Sequence, residues 1–333
     1  MHPVEYDASV VIPSYNNRLL LLECLKSLEG QSWPVDRFEV IVVLDGSTDG
    51  SKEALLSLKT GYSLTVHTQE NRGRASALNA GVARAGGRML IFTDADIRAS
   101  TTFIEAHLNA LTRADASIGP IPLDPDVVSD FVTDPVAEWG KSIQDRMERT
   151  SGPTRCTDIF GANIALKTDL FLAIGGYRED LRRAEDYALG RALISHGVDI
   201  VHAPEAVVYQ TFDKTISELF YDTQQDGFYA LLFVMEAQEQ AETLILKRWH
   251  SVTTAKRLLR RVIIPRNLMG EGIVLLSGTI LEGARRLGWR HGFWRSLSGV
   301  IRDALFFRGV RDALSEHPSR PDTLSELRKG LLL

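Results

Sequence analysis

Apolar and polar positions along this chain fall into two regimes. Up to about residue 210, short apolar runs alternate with segments of helical period; beyond it, helical patterns follow one another with no strand between them. Residues 9–13, 38–44, 63–67 and 89–93 read as strands. The last is apolar on both faces, as in a parallel sheet covered by helices. Residues 19–28, 51–58 and 75–85 carry helical spacing between these strands, with Asp49 as an N-cap for the second helix and Gly86-Gly87 ending the third. Strand and helix in alternation predict an α/β, doubly wound sheet. A helix over 101–112 and a strand over 117–121 come next. The stretch 122–153 is long and variable-looking and holds several acids and Trp139, which reads either as a stacking platform for a ligand ring or as a core aromatic of an amphipathic helix. Residues 160–166 resume as a strand, 169–174 as a short helix, and Gly175-Gly176-Tyr177 as a turn. Glu185 and Asp186 open a helix over 187–196, and 198–201 and 206–209 are two short strands. Residues 215–248 are mostly helical in pattern.

Charge separates the two regimes further. The net charge of −5 divides into +11 for residues 247–311, where 14 Lys or Arg meet only Glu271, Glu282 and Asp303, and −16 for everything else. Residues 255–264 alternate basic with apolar pairs. Over 293–307, Trp294, Leu297, Ile301 and Leu305 recur at helical spacing beside Arg295, Arg302 and Arg308. Basic amphipathic helices with aromatics on the apolar side fit an anionic membrane surface; a packed helical subdomain or a face for a partner subunit in a homodimer is the alternative. No nucleic-acid recognition module is visible. Hydrophobic content of 44% and charged content of 24% exclude a disordered or fibrous chain. Cys24 and Cys156 alone cannot build a disulfide framework, and no Cys/His cluster has zinc-ligand spacing. The N-terminus shows no basic and then apolar leader, which predicts a cytoplasmic protein. No apolar stretch reaches the roughly 18 residues of a spanning helix.

The candidate chemistry sits at strand ends. Asp94 and Asp96 follow the strand 89–93 at its carboxyl end, where open α/β sheets bind ligands. Two carboxylates one residue apart suit a hard divalent ion carrying a diphosphate, or else cap the next helix. Ser14, Asp45 and Arg72 or Arg74 fall along the same edge of the expected sheet, and that convergence points to a nucleotide site. Glu185 and Asp186 stand where a helix dipole favours ionised carboxylates, as helix-start acids or as something more.

Seven motifs stand in the order seen in glycosyltransferase family 2, which residues 8–210 resemble. They are Val10-Val11-Ile12-Pro13-Ser14-Tyr15-Asn16-Asn17, Asp45-Gly46-Ser47-Thr48-Asp49-Gly50, Asn71-Arg72-Gly73-Arg74 with Ala77-Leu78-Asn79-Ala80-Gly81, Thr93-Asp94-Ala95-Asp96, Gly161-Ala162-Asn163, Gly175-Gly176-Tyr177 and Glu185-Asp186. The resemblance implies a GT-A nucleotide-diphospho-sugar transferase fold with a mixed sheet, a nucleotide-sugar donor with UDP favoured, a divalent metal (Mn²⁺ or Mg²⁺) and inversion at the anomeric carbon. It makes Asp186 the base, Asp96 the metal ligand, and Asp94 a donor and metal-shell residue. Asp45 would meet the base edge of the nucleotide, with Pro13, Ser14 and Tyr15 beside it and Arg72 or Arg74 near the nucleotide or its phosphates. Gly161, Ala162 and Asn163 would line the sugar subsite, and Glu185 would hold sugar or acceptor hydroxyls.

Three departures qualify the resemblance. Gln210 stands where many relatives carry a histidine that completes the metal shell, and His202 is nearby in sequence. Leu44 replaces the first acid of the common Asp-Asp-Gly-Ser form. The Gln-X-X-Arg-Trp signature of processive synthases is absent, since Ile245 precedes Arg248-Trp249, so one sugar is expected per encounter. The expected division is 1–235, a GT-A catalytic domain with donor half 1–100 and acceptor half 101–235, followed by 236–333, a C-terminal basic amphipathic helical region. A glycan or lipid-linked acceptor at the inner face of the membrane fits those helices. A soluble small-molecule or protein acceptor, a sugar nucleotidyltransferase and a noncatalytic nucleotide-sugar-binding scaffold are the alternatives.

Overall fold

The computed structural model describes residues 6–153, 155–289, 292–317 and 331. Its contacts separate one unit, Met1–Val127 with Val136–Phe212, from a second, Val128–Pro135 with Asp213–Leu333.

In the first unit strands and helices alternate as β1 (Tyr6–Ser14), α1 (Arg18–Leu28), β2 (Phe38–Asp45), α2 (Ser51–Ser57), β3 (Ser63–Gln69), α3 (Arg74–Val82) and β4 (Gly87–Thr93). β5 (Ile97–Ala99), α4 (Phe103–Ala110), β6 (Ala116–Ile118) and α5 (Thr133–Thr150, of which 136–150 belong here) follow. The unit closes with β7 (Asn163–Lys167), α6 (Thr168–Ala173), α7 (Glu185–Ser195), β8 (Ile200–His202) and β9 (Val208–Gln210). The main sheet has the order β3-β2-β1-β4-β7-β6-β8. Its first four strands are parallel, and β7 runs antiparallel to both β4 and β6, so the sheet is mixed as expected. Side-chain alternation gives each face its own core. Val10, Ile12, Val40 and Val42 face Leu21, Leu25 and Phe103 of α1 and α4, whereas Val11, Leu90 and Phe92 face Leu78, Ile143, Phe171 and Leu189 of α3, α5, α6 and α7. Residues buried on both faces explain why these strands read as continuous apolar runs. The carboxylate of Asp49 accepts the N–H of Arg18 at 2.8 Å and of Ser51 at 3.1 Å, which holds the starts of α1 and α2 together.

In this unit β5 and α5 go beyond the elements read from the sequence. β5 pairs antiparallel with β9, placing Ile97 opposite Gln210. α5 lies in the long variable-looking stretch; it is markedly amphipathic, burying a narrow stripe around Ile143 and Met147 while its exposed side carries pairs four residues apart such as Lys141–Asp145.

The second unit holds α8 (Ile216–Glu236), α9 (Lys247–His250), α10 (Thr254–Ile263), α11 (Leu268–Arg286) and α12 (Gly292–Glu316). Thr215 and Glu218 form a reciprocal cap at the start of α8. α8 and α12 touch backbone to backbone: a Cβ at Gly227 would lie 1.9 Å from the Phe306 carbonyl oxygen, and one at Gly309 1.9 Å from that of Gln224. α8 therefore belongs to the helical unit, and the boundary falls after Phe212 rather than near residue 235. Ile301 and Leu305 of α12 are buried, and Arg308, 3% exposed, donates to the Ile263 carbonyl at 2.6 Å. The stripe read as a membrane-facing side of residues 293–307 is thus, in its second half, core of this unit. Asp303 is buried among cations, at 2.7 Å from Arg260, 3.4 Å from Lys256 and 3.6 Å from Arg248. Among the described residues no helix is long and apolar enough to cross a membrane.

Candidate active site

The parallel strands β1, β2 and β4 end side by side, and each ends in polar residues. Between them lies a cleft of about 260 Å³ lined by Pro13, Ser14, Tyr15, Asp45, Arg74, Asp94 and Asp96. The Ser14 hydroxyl is buried there without a hydrogen-bond partner, an open position for a polar ligand atom. Asp45 is 4% exposed and shapes the wall: Oδ1 accepts from the Arg72 N–H at 2.9 Å and Gln69 Nε2 at 2.8 Å, and Oδ2 accepts from the Gly73 N–H at 2.8 Å. This clamp fixes the turn that launches α3 and aims Arg74 inward. Arg72 points elsewhere, its guanidinium 2.9 Å from Glu179 and largely exposed, so Arg74 is the arginine of the site.

Arg74 joins the two halves of the candidate chemistry. Its Nη2 lies 2.8 Å from Asp94 Oδ1, and its Nη1 lies 3.0 Å from both Glu185 Oε1 and Asp186 Oδ1. Burial opposes the guanidinium charge, but the carboxylates of Asp186, Asp94 and Glu185 more than offset it and hold Arg74 well above its ordinary range. Glu185 feels burial first and the neighbouring Asp186 second, and is pushed up to about 7. Ala184, the residue before these acids, sits in the left-handed region at φ 63°, where an alanine costs about 1 kcal/mol. Gly161 closes the cluster from the β7 side. A Cβ there would lie 2.4 Å from Asp186 Oδ1 and 2.8 Å from both Arg74 Nη2 and the Tyr177 hydroxyl. The register Thr93–Asn163 carries Gly161 and Ala162 past the end of β4, and the Thr93 hydroxyl donates to the Ala162 carbonyl at 2.8 Å.

Tyr177 was not singled out from sequence. Its hydroxyl is buried without a hydrogen-bond partner, and burial together with Asp186 pushes the phenol well above its ordinary range. Asn79 sets its place by accepting from the Tyr177 N–H at 3.0 Å and donating to the Tyr177 carbonyl at 2.8 Å. Both residues lie in motifs quoted above, which was the available signal. Asn163 departs from expectation. It is fully buried, with Nδ2 donating to the carbonyls of Pro120 and Ala206 and Oδ1 2.7 Å from His107 Nε2, so its amide ties β7 to α4 and to the loops after β6 and before β9 and leaves nothing for a sugar. Trp139 is half-exposed and stands edge-on to Phe160, 4.8 Å between ring centres. His202 lies on β8, three strands from β4, or about 14 Å by strand spacing. Gln210, by contrast, is brought next to Asp96 by the β5–β9 pairing, and the Thr211 N–H donates to the Asp96 carbonyl at 2.8 Å.

Asp94 and Asp96 fit a hard divalent cation, which takes oxygen ligands and commonly completes its shell with phosphate and water. Asp94 Oδ1 is engaged by Arg74, while both side chains line the cleft. Among the described residues no group of three or more His, Cys, Asp or Glu is arranged to hold a metal without help from a ligand.

Residues 9–172 match the family model for glycosyl transferase family 2. Those residues are a glycosyltransferase family 2 domain. Curated relatives agree with the family. Glycosyltransferase AglE of Haloferax volcanii is 32% identical over 106 residues, covering 31% of this chain and 35% of that protein. Validoxylamine A glucosyltransferase of Streptomyces hygroscopicus subsp. jinggangensis is 28% identical over 228 residues, covering 60% and 54%. The chain thus spans about a third to a half of the length of these relatives. The mannosyltransferase PcManGT from Pyrobaculum calidifontis, solved with GDP-Man and Mn²⁺, superposes with a TM-score of 0.65 at 19% identity, covering 93% of this chain and 87% of that one. The family 2 domain here shares that GT-A fold.

Proposed function

We propose that this protein is an inverting glycosyltransferase that moves one sugar per encounter from a nucleotide-diphosphate donor to a hydroxyl acceptor. The observation that carries the reading is Arg74, whose single guanidinium ties Asp94 at the donor edge to Glu185 and Asp186. The donor's nucleotide would lie against Pro13, Ser14, Tyr15 and Asp45, and Asp94 and Asp96 would hold a divalent metal. When bound, that metal supplies positive charge to the leaving diphosphate. The acceptor oxygen attacks the anomeric carbon in line with the leaving group, and Asp186 takes the hydroxyl proton. Glu185, whose protonated form is favoured by burial and by the neighbouring Asp186, meets a sugar or acceptor hydroxyl. Arg74 and Gly161 set the place of Asp186, Arg74 by charge and Gly161 by leaving the space its carboxylate fills.

GDP-mannose in the Pyrobaculum mannosyltransferase supports a nucleotide-sugar donor and a divalent metal as the class of ligand. UDP and GDP sugars are the first donors to test. The acceptor in this reading is a lipid-linked glycan at the cytoplasmic face of the membrane, with the protein held there peripherally. The test offers radiolabelled UDP-glucose, UDP-N-acetylglucosamine and GDP-mannose to the protein with extracted membrane lipid. Label entering the organic phase with wild type, and falling about a thousandfold in Asp186→Asn while donor binding is kept, is the expected result. Label transferred only to a water-soluble acceptor would refute the lipid part, and undiminished transfer by Asp186→Asn would refute the assignment of the base.

A further inference from the structure

The longest exposed apolar stripe of the helical unit runs along α11, and the first turn of α12 adds to it. Leu268, Met269, Leu275, Leu276 and Ile280 are 94%, 66%, 75%, 62% and 44% exposed, while Gly270, Ser277, Leu281 and Ala284 on the other side are buried. At the helical period the exposed residues share one arc with Gly272, Thr279 and Gly283, and no charged side chain interrupts it before Arg286. Aromatics continue the surface beyond the helix. Trp289 and Phe293 are 46% and 64% exposed, and Trp289 stacks on Trp294 at 5.4 Å. An apolar patch of this extent on a soluble surface marks an interaction site.

Charge selects the occupant. Of the nine Lys or Arg in residues 254–295, Lys256 and Arg260 turn in on Asp303, and Arg266, Arg285 and Arg286 pair with Asp312, Asp130 and Glu282; Glu271 is met by Arg308 at 3.0 Å, and Arg257 and Arg261 of α10 stay exposed. A second copy docking face to face would set these exposed arginines against their own copies, because a two-fold interface pairs like with like. An anionic bilayer meets both features at once: its acyl boundary accepts Leu, Met and Ile, its headgroup level suits Trp, and its surface attracts Arg. We propose that α11, with Trp289, Phe293 and Trp294, is a docking face that lies in the headgroup and acyl boundary of an anionic membrane, the exposed Arg257 and Arg261 of α10 adding surface attraction. This names the surface by which the lipid-acceptor reading above would be met, and it rests on that reading for its place in the reaction.

The full chain is floated with vesicles of phosphatidylcholine and phosphatidylglycerol, and with phosphatidylcholine alone. Wild type is expected to float with the anionic vesicles and to show a blue-shifted tryptophan emission. The double variant Leu275→Glu, Leu276→Glu changes only exposed positions, so its thermal transition is expected to stay in place while its vesicle affinity falls about tenfold or more. Nucleotide-diphosphate binding, measured on the same samples, is expected to be equal in both, which keeps this test separate from that of the donor site. Failure of wild type to float, or equal flotation of the double variant, overturns the proposal. So does a dimer that the double variant dissolves in the absence of any vesicle binding, since it assigns the face to a second copy.

Discussion

Two charge clusters of the molecule, one in each unit, are near mirror images. In the sheet unit one cation, Arg74, stands among three acids, Asp94, Glu185 and Asp186. In the helical unit one acid, Asp303, stands among three cations, Arg260, Lys256 and Arg248. The clusters differ in what surrounds them. Arg260 is sealed under the rings of Trp249 and Phe307, at 4.8 and 4.2 Å, and spends its remaining donors on the carbonyls of Arg248 and Trp249. Arg74 borders an open cleft, beside a Ser14 hydroxyl that has no partner. A sealed excess of charge holds helices in place; an open one, of negative sign at the end of a parallel strand, is built to receive something positive or rich in hydroxyls.

Removing the central charge of each cluster sharpens this contrast. Asp303→Ala strands a buried guanidinium, and urea unfolding should show a loss of about 4 kcal/mol. Arg74→Leu should cost clearly less stability, because water reaches its carboxylates through the cleft, yet it should impair transfer as much as loss of the base does. Equal stability losses at both sites would make Arg74 a structural tie and break the comparison.

Acidity gives the next effect. Because Glu185 titrates near 7 in the folded chain against an ordinary value near 4.5, the native state keeps a proton that the unfolded chain has released. Stability from this group is therefore full below about pH 4.5, falls as pH rises to about 7 and is flat above it, a difference of about 3 kcal/mol. Subtracting the unfolding profile of Glu185→Gln from that of wild type should expose that slope between pH 4.5 and 7. A flat difference would place Glu185 in a far more solvated setting than its 9% side-chain exposure describes.

Gly161→Ala makes the smallest change and the most selective one. The atoms in the way of its Cβ are the ends of the Asp186, Arg74 and Tyr177 side chains, which can move without disturbing the backbone. The melting temperature should hardly shift, while kcat should fall about a hundredfold through the displaced carboxylate, with donor binding nearly constant. A large stability loss with unchanged kcat would show that the close approach serves packing alone.

Much of the sheet unit was legible because β1, β2 and β4 are apolar runs that stop at polar residues, so Ser14, Asp45 and Asp94 mark the edge they share. What remained hidden depended on partners distant in the chain. β5 is three residues long and exists through its pairing with β9 more than a hundred residues away. Arg72 and Arg74 differ only in direction, which the Asp45 clamp decides. Asn163 sits in a motif that resembles a sugar subsite, yet its amide is consumed by Pro120, Ala206 and His107. In α12 the period of Ile301 and Leu305 was visible, but period alone cannot say whether lipid, a partner or α8 covers them. The stripe of α11 carries the same kind of signal, but its basic residues, Arg285 and Arg286, stand at one end, so charge does not mark it in the sequence.

The central claim is that the cleft between β1, β2 and β4 binds a nucleotide diphosphate through a metal held by Asp96 and Asp94. Calorimetric titration of UDP and GDP, with and without Mn²⁺, into wild type and Asp96→Ala tests it most directly. The account predicts Mn²⁺-dependent binding of one diphosphate that Asp96→Ala abolishes. Binding that ignores both the metal and Asp96 would contradict it and leave the aspartate pair as part of the scaffold.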